Sequence, residues 1–172
     1  MLEHTDLEAA AAKQPEPQTT SFALQAAHRG LAGLMDGAIW TLAPLVAAVF
    51  ATHSAHAVFL IGAAAAAGAG ITMAFSEGLG DDGTQTGRDK PLVRGIITGI
   101  MTFLGGFVQT LPFLNPDLQQ GLTLAYIVVG LELLAFAYIR YRYFATNFIT
   151  SVIQVVVGGA LVFTAGVLIG SS

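Results

Sequence analysis

Five long apolar stretches follow one another between residues 31 and 170, and they limit the possible folds more than any other feature of the sequence. An α-helix needs about 20 mainly apolar residues to cross the hydrocarbon core of a bilayer. Each stretch has about that length, and short polar loops join them. Inside lipid, every backbone N–H and C=O group must be paired within its own segment, which a helix achieves. The sequence therefore predicts an all-α membrane protein with five transmembrane helices.

The composition argues against several other classes of protein. Apolar residues make up 54% of the 172 residues and charged residues only 10%, whereas soluble domains contain about 25% charged residues. The chain has no cysteine, which rules out disulfides and thiolate metal ligands. It also has no phosphate-binding glycine loop, no nucleophile elbow and no basic patch with aromatic residues. We therefore expect neither an enzyme nor a nucleic-acid-binding protein, and no permanently bound cofactor.

The chain divides into three predicted segments. Residues 1–20 are polar and acidic and contain proline, which predicts a disordered cytoplasmic tail. Residues 21–30 are mildly amphipathic, which predicts a short helix at the membrane surface. Residues 31–170 are the predicted five-helix domain. Its spans are expected at about residues 31–51, 57–79, 92–111, 121–139 and 148–170.

The basic residues predict the orientation of these spans. With five crossings, all seven Lys and Arg residues fall on the same side of the membrane: Lys13, Arg29, Arg88, Lys90, Arg94, Arg140 and Arg142. Short loops rich in Lys and Arg remain in the cytoplasm. We therefore expect the N-terminus in the cytoplasm and the C-terminus outside.

Pairs of glycines one helical turn apart occur in three of the predicted spans. They are Gly33 with Gly37, Gly95 with Gly99, and Gly166 with Gly170. Small residues at this spacing let two helix backbones approach closely in lipid. The pairs indicate either tight packing within one bundle or an interface between two copies, in particular along the first span.

Four side chains within the predicted spans are candidate metal ligands: Asp36, Met73, Glu77 and Glu132. A charged carboxylate near the centre of a transmembrane helix costs about 2.5–3.5 kcal/mol, so such residues usually have a function. From a helical rise of about 1.5 Å per residue, Asp36, Met73 and Glu132 lie roughly 9–12 Å from the cytoplasmic ends of their helices. Glu77 lies nearer the cytoplasmic mouth. We therefore expect the four side chains to share one layer near the cytoplasmic face.

The chemistry of these ligands indicates a divalent ion of iron or manganese. Carboxylate oxygens suit Mn²⁺ and Fe²⁺, and a thioether adds a softer ligand. Zinc and copper are less favoured, because no cysteine and no membrane-embedded histidine is predicted. Carboxylates can also carry protons, so metal is expected to exchange against protons. Each residue has a structural alternative. Asp36 caps a local turn or pairs with Arg29, Glu77 is only solvated, and Met73 only packs. Glu132 snorkels to the membrane surface or pairs with Arg94 or Arg140.

Several span sequences resemble those of a known transporter family. They are GLMDGAIWTLAPLVAA in the first span, GAAAAAGAGITMAFSEGLG in the second, GIITGIMTFLGGFVQTLPFL in the third and GGALVFTAGVLIG in the fifth. In order and spacing they are similar to the vacuolar iron transporter (VIT) family over about residues 30–170. Within that family the chain most resembles the membrane domain of bacterial membrane-bound ferritin-type iron exporters. The ferritin-like domain of those proteins is not present in this sequence.

The resemblance implies a five-helix homodimer that exports Fe²⁺, and often Mn²⁺, from the cytoplasm in exchange for protons. Asp36 matches the Asp of the family's Asp-Gly motif in the first span, and Met73 matches its second-span Met. Glu77 matches the Glu of a Met-Ala-x-Gly-Glu pattern, although Ser76 replaces the glycine. Glu132 matches no motif of the family.

The connection between the second and third spans departs from part of the family. Plant and parasite members have a metal-binding domain rich in Glu and Met there, whereas this chain has only residues 80–90. Iron is then either delivered by a cytoplasmic partner or taken up directly by the membrane site. The alternative function is a non-transporting anchor or assembly partner for another protein, for example a ferritin-like one. The short form indicates the inner membrane of a bacterium.

Overall fold

The computed structural model describes residues 19–80, 91–143 and 148–172. Within these residues the chain forms five α-helices: α1 (Thr19–Thr52), α2 (Ala55–Leu79), α3 (Pro91–Val108), α4 (Leu118–Tyr143) and α5 (Phe148–Gly170). A short 3-10 helix (Leu111–Leu114) lies between α3 and α4. The predicted tail falls mostly outside the described residues, and its last two positions begin α1.

Each of the five helices is long and apolar enough to cross a membrane. The apolar spans cover Ala26–Thr52, Ala55–Leu79, Pro91–Val108, Leu118–Ile139 and Val152–Gly170. The predicted all-α architecture with five candidate membrane spans is therefore confirmed. The orientation of the termini and the pairing of two copies stay predictions.

The first helix is continuous, whereas the sequence predicted a separate short helix at residues 21–30. α1 runs through Gly30 because this residue is buried against α3, where a methyl group on it would lie 3.4 Å from the Met101 side chain. Helical hydrogen bonding is interrupted later, at Pro44, which has no N–H group to donate to the Trp40 carbonyl oxygen. The location of residues 21–30 at the membrane surface stays a prediction.

The third helix lies between α1 and α2, and glycines bring the three backbones close together. A methyl group on Gly37 of α1 would overlap the carbonyl oxygen of Thr102 on α3. On the other side of α3, a methyl group on Gly99 would lie 2.6 Å from the Cβ atom of Ala74 on α2. Such contacts hold helices together in lipid, where no hydrophobic force acts between them. These glycines are therefore occupied by packing within one chain.

The last two helices are attached less tightly. α5 lies along α1, where a methyl group on Gly166 would lie 2.8 Å from the Ala43 carbonyl oxygen. α4 packs against α5 and the 3-10 helix, and it has little direct contact with α1. The gap between α1 and α4 holds an apolar cavity of about 320 Å³. Helices α1 to α3 therefore form the tightly packed part of the bundle.

Tight turns connect the helices at the end of the bundle where α1 finishes. His53 has a φ of 52°, a left-handed conformation that commonly ends a helix. Ser54 then caps α2, because its hydroxyl oxygen accepts a hydrogen bond from the Ala57 N–H group at 3.4 Å. We call this the His53 end of the bundle. The opposite end, where α2 finishes and α3 begins, is called the Arg94 end.

Candidate functional site

Glu77 is held by Arg94 at the Arg94 end of the bundle. The Nε atom of Arg94 lies 3.0 Å from the Oε2 atom of Glu77. The Nε and Nη2 atoms of Arg94 also donate to the main-chain carbonyl oxygen of Glu77, at 3.0 and 2.6 Å. That carbonyl belongs to the last turn of α2, where carbonyl groups lack helical partners. Arg94 therefore caps α2 and balances the Glu77 charge, while the Glu77 side chain remains 43% exposed.

Met73 lies one turn before Glu77 and lines a surface groove between α1 and α2. The groove has a volume of about 280 Å³ and is lined by Trp40, Pro44, Ala65, Gly68, Ala69, Thr72 and Met73. It is open because its α2 side consists mainly of small residues, and a methyl group on Gly68 would meet no atom within 4 Å. Trp40 is 66% exposed at its edge. We call this feature the α1/α2 groove.

Asp36 lies on the side of α1 that faces this groove. It precedes Trp40 by one turn, and residues four apart share one face of a helix. The neighbouring Gly37 packs against the Thr102 carbonyl group, which holds this part of α1 close to α3. The Asp36 side chain is partly buried. Asp36 therefore lies one helical turn from Trp40, next to the groove that Met73 lines from α2.

Glu132 lies on the other side of α1, in a chamber between α1, α4 and α5. The Nε2 atom of Gln109 donates a hydrogen bond to the Oε2 atom of Glu132 at 2.6 Å. The chamber has a volume of about 110 Å³, and Gln154 of α5 also lines it. We call it the Glu132 chamber. Of the two basic partners considered from the sequence, Arg94 pairs with Glu77 instead, and the Arg140 side chain lies outside the described residues.

The candidate residues occur at successive levels of the bundle and do not share one layer. Along α3, Glu77 is level with Arg94, and Asp36 is level with Thr102. At about 1.5 Å per residue, Asp36 is therefore about 12 Å farther from the Arg94 end than Glu77 is. Met73 lies between them, one turn of α2 above Glu77. The predicted common layer is wrong for these residues.

Glu132 is also outside the predicted layer. Its chamber extends along α1 from Met35 to Leu42. Glu132 contacts Gln109, which lies seven residues beyond Thr102 toward the His53 end. The depth predicted from the sequence was counted from each expected helix end, as if all helices began at one plane. The helices are shifted against one another, and α4 continues to Tyr143, three residues beyond the Arg140 from which the depth of Glu132 was counted. Counting residues therefore could not place Glu132 relative to the other spans.

The fold brings only part of the predicted ligand set together. Within residues 19–80, 91–143 and 148–172, no three His, Cys, Asp or Glu side chains lie close enough to hold a metal ion. Met73 lines the α1/α2 groove, Asp36 lies one turn of α1 from the groove residue Trp40, and Glu77 follows Met73 on α2. Glu132 is separated from them by α1. One chain thus supplies a partial set of ligands at the groove.

Several buried polar residues on or beside α3 were overlooked in the sequence. Arg94, Thr98 and Thr102 are buried at a spacing of four residues, and Gln109 is buried just after the helix. Within the described part of the chain, the hydroxyl oxygens of Thr98 and Thr102 have no hydrogen-bond partner. The spacing of four was a usable signal, because it places these residues on one helix face. Arg94, Thr98, Thr102 and Gln109 therefore form a strip of buried polar residues through the tightly packed part of the bundle, which we call the polar seam.

Comparison with known proteins agrees with this architecture. A family model described as the VIT family matches residues 76–171, which is more than half of the 172-residue chain. No curated protein and no solved structure matches the chain. The family match and the five candidate spans define a multi-pass membrane protein of a class that transports metal ions. The chain belongs to the VIT family.

The range that the family model matches contains two of the four candidate residues. It contains Glu77 and Glu132, whereas Asp36 and Met73 precede it. The family predicted from the span sequences is therefore confirmed. The closer likeness to ferritin-type exporters stays a prediction, as do the roles of the individual residues.

Proposed function

We propose that this protein exports Fe²⁺, Mn²⁺ or both from the cytoplasm across the inner membrane of a bacterium, in exchange for protons. The observation that carries the proposal is the α1/α2 groove, which Met73 lines from α2 and next to which the partly buried Asp36 lies on α1, one turn from Trp40. A carboxylate and a thioether together suit a divalent ion of intermediate softness. Membership of a family that transports metal ions supports this use of the groove.

A second copy of the chain would complete the site. In one chain Asp36 and Met73 supply a single carboxylate and a single thioether at the groove, whereas Fe²⁺ and Mn²⁺ usually take several ligands. A two-fold axis along the groove doubles each ligand, because both copies present the same surface. Trp40, which is 66% exposed, would be covered in the same contact. The homodimer is therefore part of the proposal.

Glu77 has the role of the first ligand at the cytoplasmic mouth. Its charge is balanced by Arg94, and its side chain is still 43% exposed. A divalent ion can compete for the carboxylate, while Arg94 stays anchored to the Glu77 carbonyl oxygen. With the Arg94 end in the cytoplasm, an exported ion meets Glu77, Met73 and Asp36 in that order.

The test is metal flux in liposomes that contain the purified full-length chain. A pH gradient is applied, and entry of Fe²⁺, Mn²⁺ and Zn²⁺ is followed with a metal-sensitive dye. We expect Fe²⁺ or Mn²⁺ flux that depends on the gradient. Replacing Asp36 by Asn removes the charge at nearly constant shape, and Met73→Leu removes the thioether. Each change is expected to lower the flux at least tenfold.

Matched controls are available elsewhere in the chain. Asp117→Asn changes an exposed aspartate that only caps α4, and Met101→Leu changes a methionine that packs against Gly30. Both controls should keep at least half of the flux. Equal flux in Asp36→Asn and the native protein would contradict the assigned role of the groove. Absence of metal flux in any native sample would favour the membrane anchor instead.

A further inference from the structure

The Glu132 chamber contains hydrogen-bond acceptors that the described residues do not fully satisfy. Gln109 uses its Nε2 atom to donate to Glu132 at 2.6 Å. Its Oε1 atom is buried and has no hydrogen-bond partner within the described part of the chain. The Gln109 side chain is only 2% exposed, so bulk solvent does not satisfy this atom. The Glu132 and Gln109 side chains thus line one small space.

Among the described residues, the walls of the chamber carry no other charged side chain. Apart from Gln109, Glu132 and Gln154, the lining side chains are apolar or glycine: Met35, Ala38, Ile39, Leu42, Val129, Leu133, Phe136, Gly158, Gly159 and Val162. Glu132 is therefore the one titratable group among the lining residues of α1, α4 and α5 and the segment after α3. Asp36 of α1 is not part of the lining, and Arg94 is engaged with Glu77. Burying an unbalanced charge in such surroundings is costly.

The size and charge of the chamber determine what can bind there. Its volume of about 110 Å³ exceeds the roughly 30 Å³ that each molecule occupies in liquid water, so a small ion with a few waters fits. One positive charge makes the site neutral with Glu132. A divalent ion would leave a net positive charge among apolar walls, and no second carboxylate lines the chamber. The chamber is therefore matched to a monovalent cation.

We propose that the Glu132 chamber is a binding site for one monovalent cation, held by the carboxylate of Glu132 and the amide of Gln109. The cation is either a proton, which is taken from solvent and forms an O–H bond with Glu132, or a sodium ion coordinated by the oxygen atoms. The site lies on a different side of α1 from the groove, because Ala38 and Leu42 line the chamber and Trp40 and Pro44 line the groove. It would be the place where the coupling cation binds, which rests on the proposed function.

The test is infrared spectroscopy of the full-length protein in lipid nanodiscs, which does not depend on transport. One series lowers the pH with choline as the monovalent cation, and the other replaces choline by sodium at constant pH. We expect a carboxyl signal equivalent to one group per chain that responds in one series. A response to acid identifies the proton, and a response to sodium identifies the sodium ion. The signal should be lost completely in Glu132→Gln, which keeps the shape of the side chain.

Further variants separate this role from a structural one. Glu132→Asp keeps a carboxylate and should retain the signal at an altered frequency, and Gln109→Leu should alter the frequency because the hydrogen bond is lost. Glu77→Gln, at the Arg94 end, should leave the signal unchanged. A signal that persists in Glu132→Gln, or a Glu132-dependent signal that responds to Mn²⁺ but to neither monovalent cation, overturns the proposal. Loss of metal flux with an intact infrared response would contradict the proposed function and leave the chamber assignment standing.

Discussion

Arg94 joins two helices through a single residue of the neighbouring helix. Its guanidinium group contacts both the carboxylate and the main-chain carbonyl oxygen of Glu77. A planar group with several N–H donors in fixed positions can make these contacts together, whereas a Lys ammonium is a compact point charge. The side chain is 3% exposed, so water does not replace a lost contact. Arg94 is therefore expected to stabilise the junction of α2 and α3.

The change Arg94→Lys should lower the stability of the protein although the charge is kept. Loss of one or two charge-assisted hydrogen bonds to the buried end of α2 is expected to cost about 1.5–3 kcal/mol. The measurement is reversible unfolding of the protein in mixed micelles. Unchanged stability of Arg94→Lys relative to the native protein would contradict the capping role of Arg94.

At the residue scale, the sequence was more informative about which side chains are candidate ligands than about what those side chains contact. Asp36, Met73 and Glu77 were selected as candidates because charged or sulfur-containing residues are conspicuous in apolar spans. The pairing of Glu77 with Arg94 could not be assigned, because the sequence does not show which helix ends are neighbours. Gln109 was overlooked, because an amide at the end of a span resembles an ordinary loop residue until its burial is known.

At the scale of elements, α3 combines the lowest hydropathy of the five spans with close packing against two other helices. Its mean hydropathy is 1.5, against 1.7 to 2.4 for the other spans. It packs against both α1 and α2, and its buried residues include glycines and threonines as well as Arg94. The low hydropathy comes from the buried face, which carries the glycines, threonines and Arg94, whereas Ile96, Ile100 and Leu104 are exposed on another face. The glycines of its neighbours make this close packing possible.

The change Gly37→Ala tests how closely α1 and α3 must approach. The added methyl group would overlap the backbone carbonyl of Thr102, which cannot move away as a flexible side chain could. We expect a loss of about 1–3 kcal/mol in the free energy of unfolding. Gly130→Ala on α4 is the control, because a methyl group there meets no atom within 4 Å. That control should be neutral or stabilising by up to about 1 kcal/mol.

One outcome would contradict the expected destabilisation by Gly37→Ala. If Gly37→Ala is as stable as Gly130→Ala, the first glycine pair is not needed for packing within the chain. A contact between two copies along the first span would then become the better interpretation of that pair.

The extent of the helices was well predicted from the sequence, and their relative positions were not. The boundaries of the second span agree with α2 to within a few residues, because apolar runs end at polar turns. The joining of residues 21–30 to α1 was missed, since burial of Gly30 depends on α3. Relative shifts between helices depend on which small residues meet, and this information is distributed over distant parts of the chain.

At the scale of the whole molecule, the connections between helices lie alternately at the two ends of the bundle. The turn at His53 and the 3-10 segment lie at one end, and the junction of α2 and α3 lies at the other. Arg29 and Arg94 both belong to the parts of α1 and α3 near the Arg94 end. The positive-inside rule therefore predicts that this end faces the cytoplasm.

Thiol labelling in intact cells measures this orientation directly. The chain has no cysteine of its own, so each introduced cysteine is the only reactive thiol. We expect a membrane-impermeant maleimide to label Pro116→Cys and Ser172→Cys, whose native side chains are exposed. Gly80→Cys, at the Arg94 end, should be labelled only after the cells are permeabilised. The reverse pattern would show that the N-terminus lies outside and that the proposed direction of export is wrong.

The polar seam of α3 has a consequence for how the chain is made. A helix that carries Arg94, Thr98, Thr102 and Gln109 on or beside its buried face is poorly soluble in lipid as an isolated segment. Its partners α1 and α2 precede it in the chain, so they are synthesised before it. We expect α3 to leave the translocon only by docking directly between these two helices. Assembly of the bundle and integration of its third span into the bilayer would then be a single co-translational event.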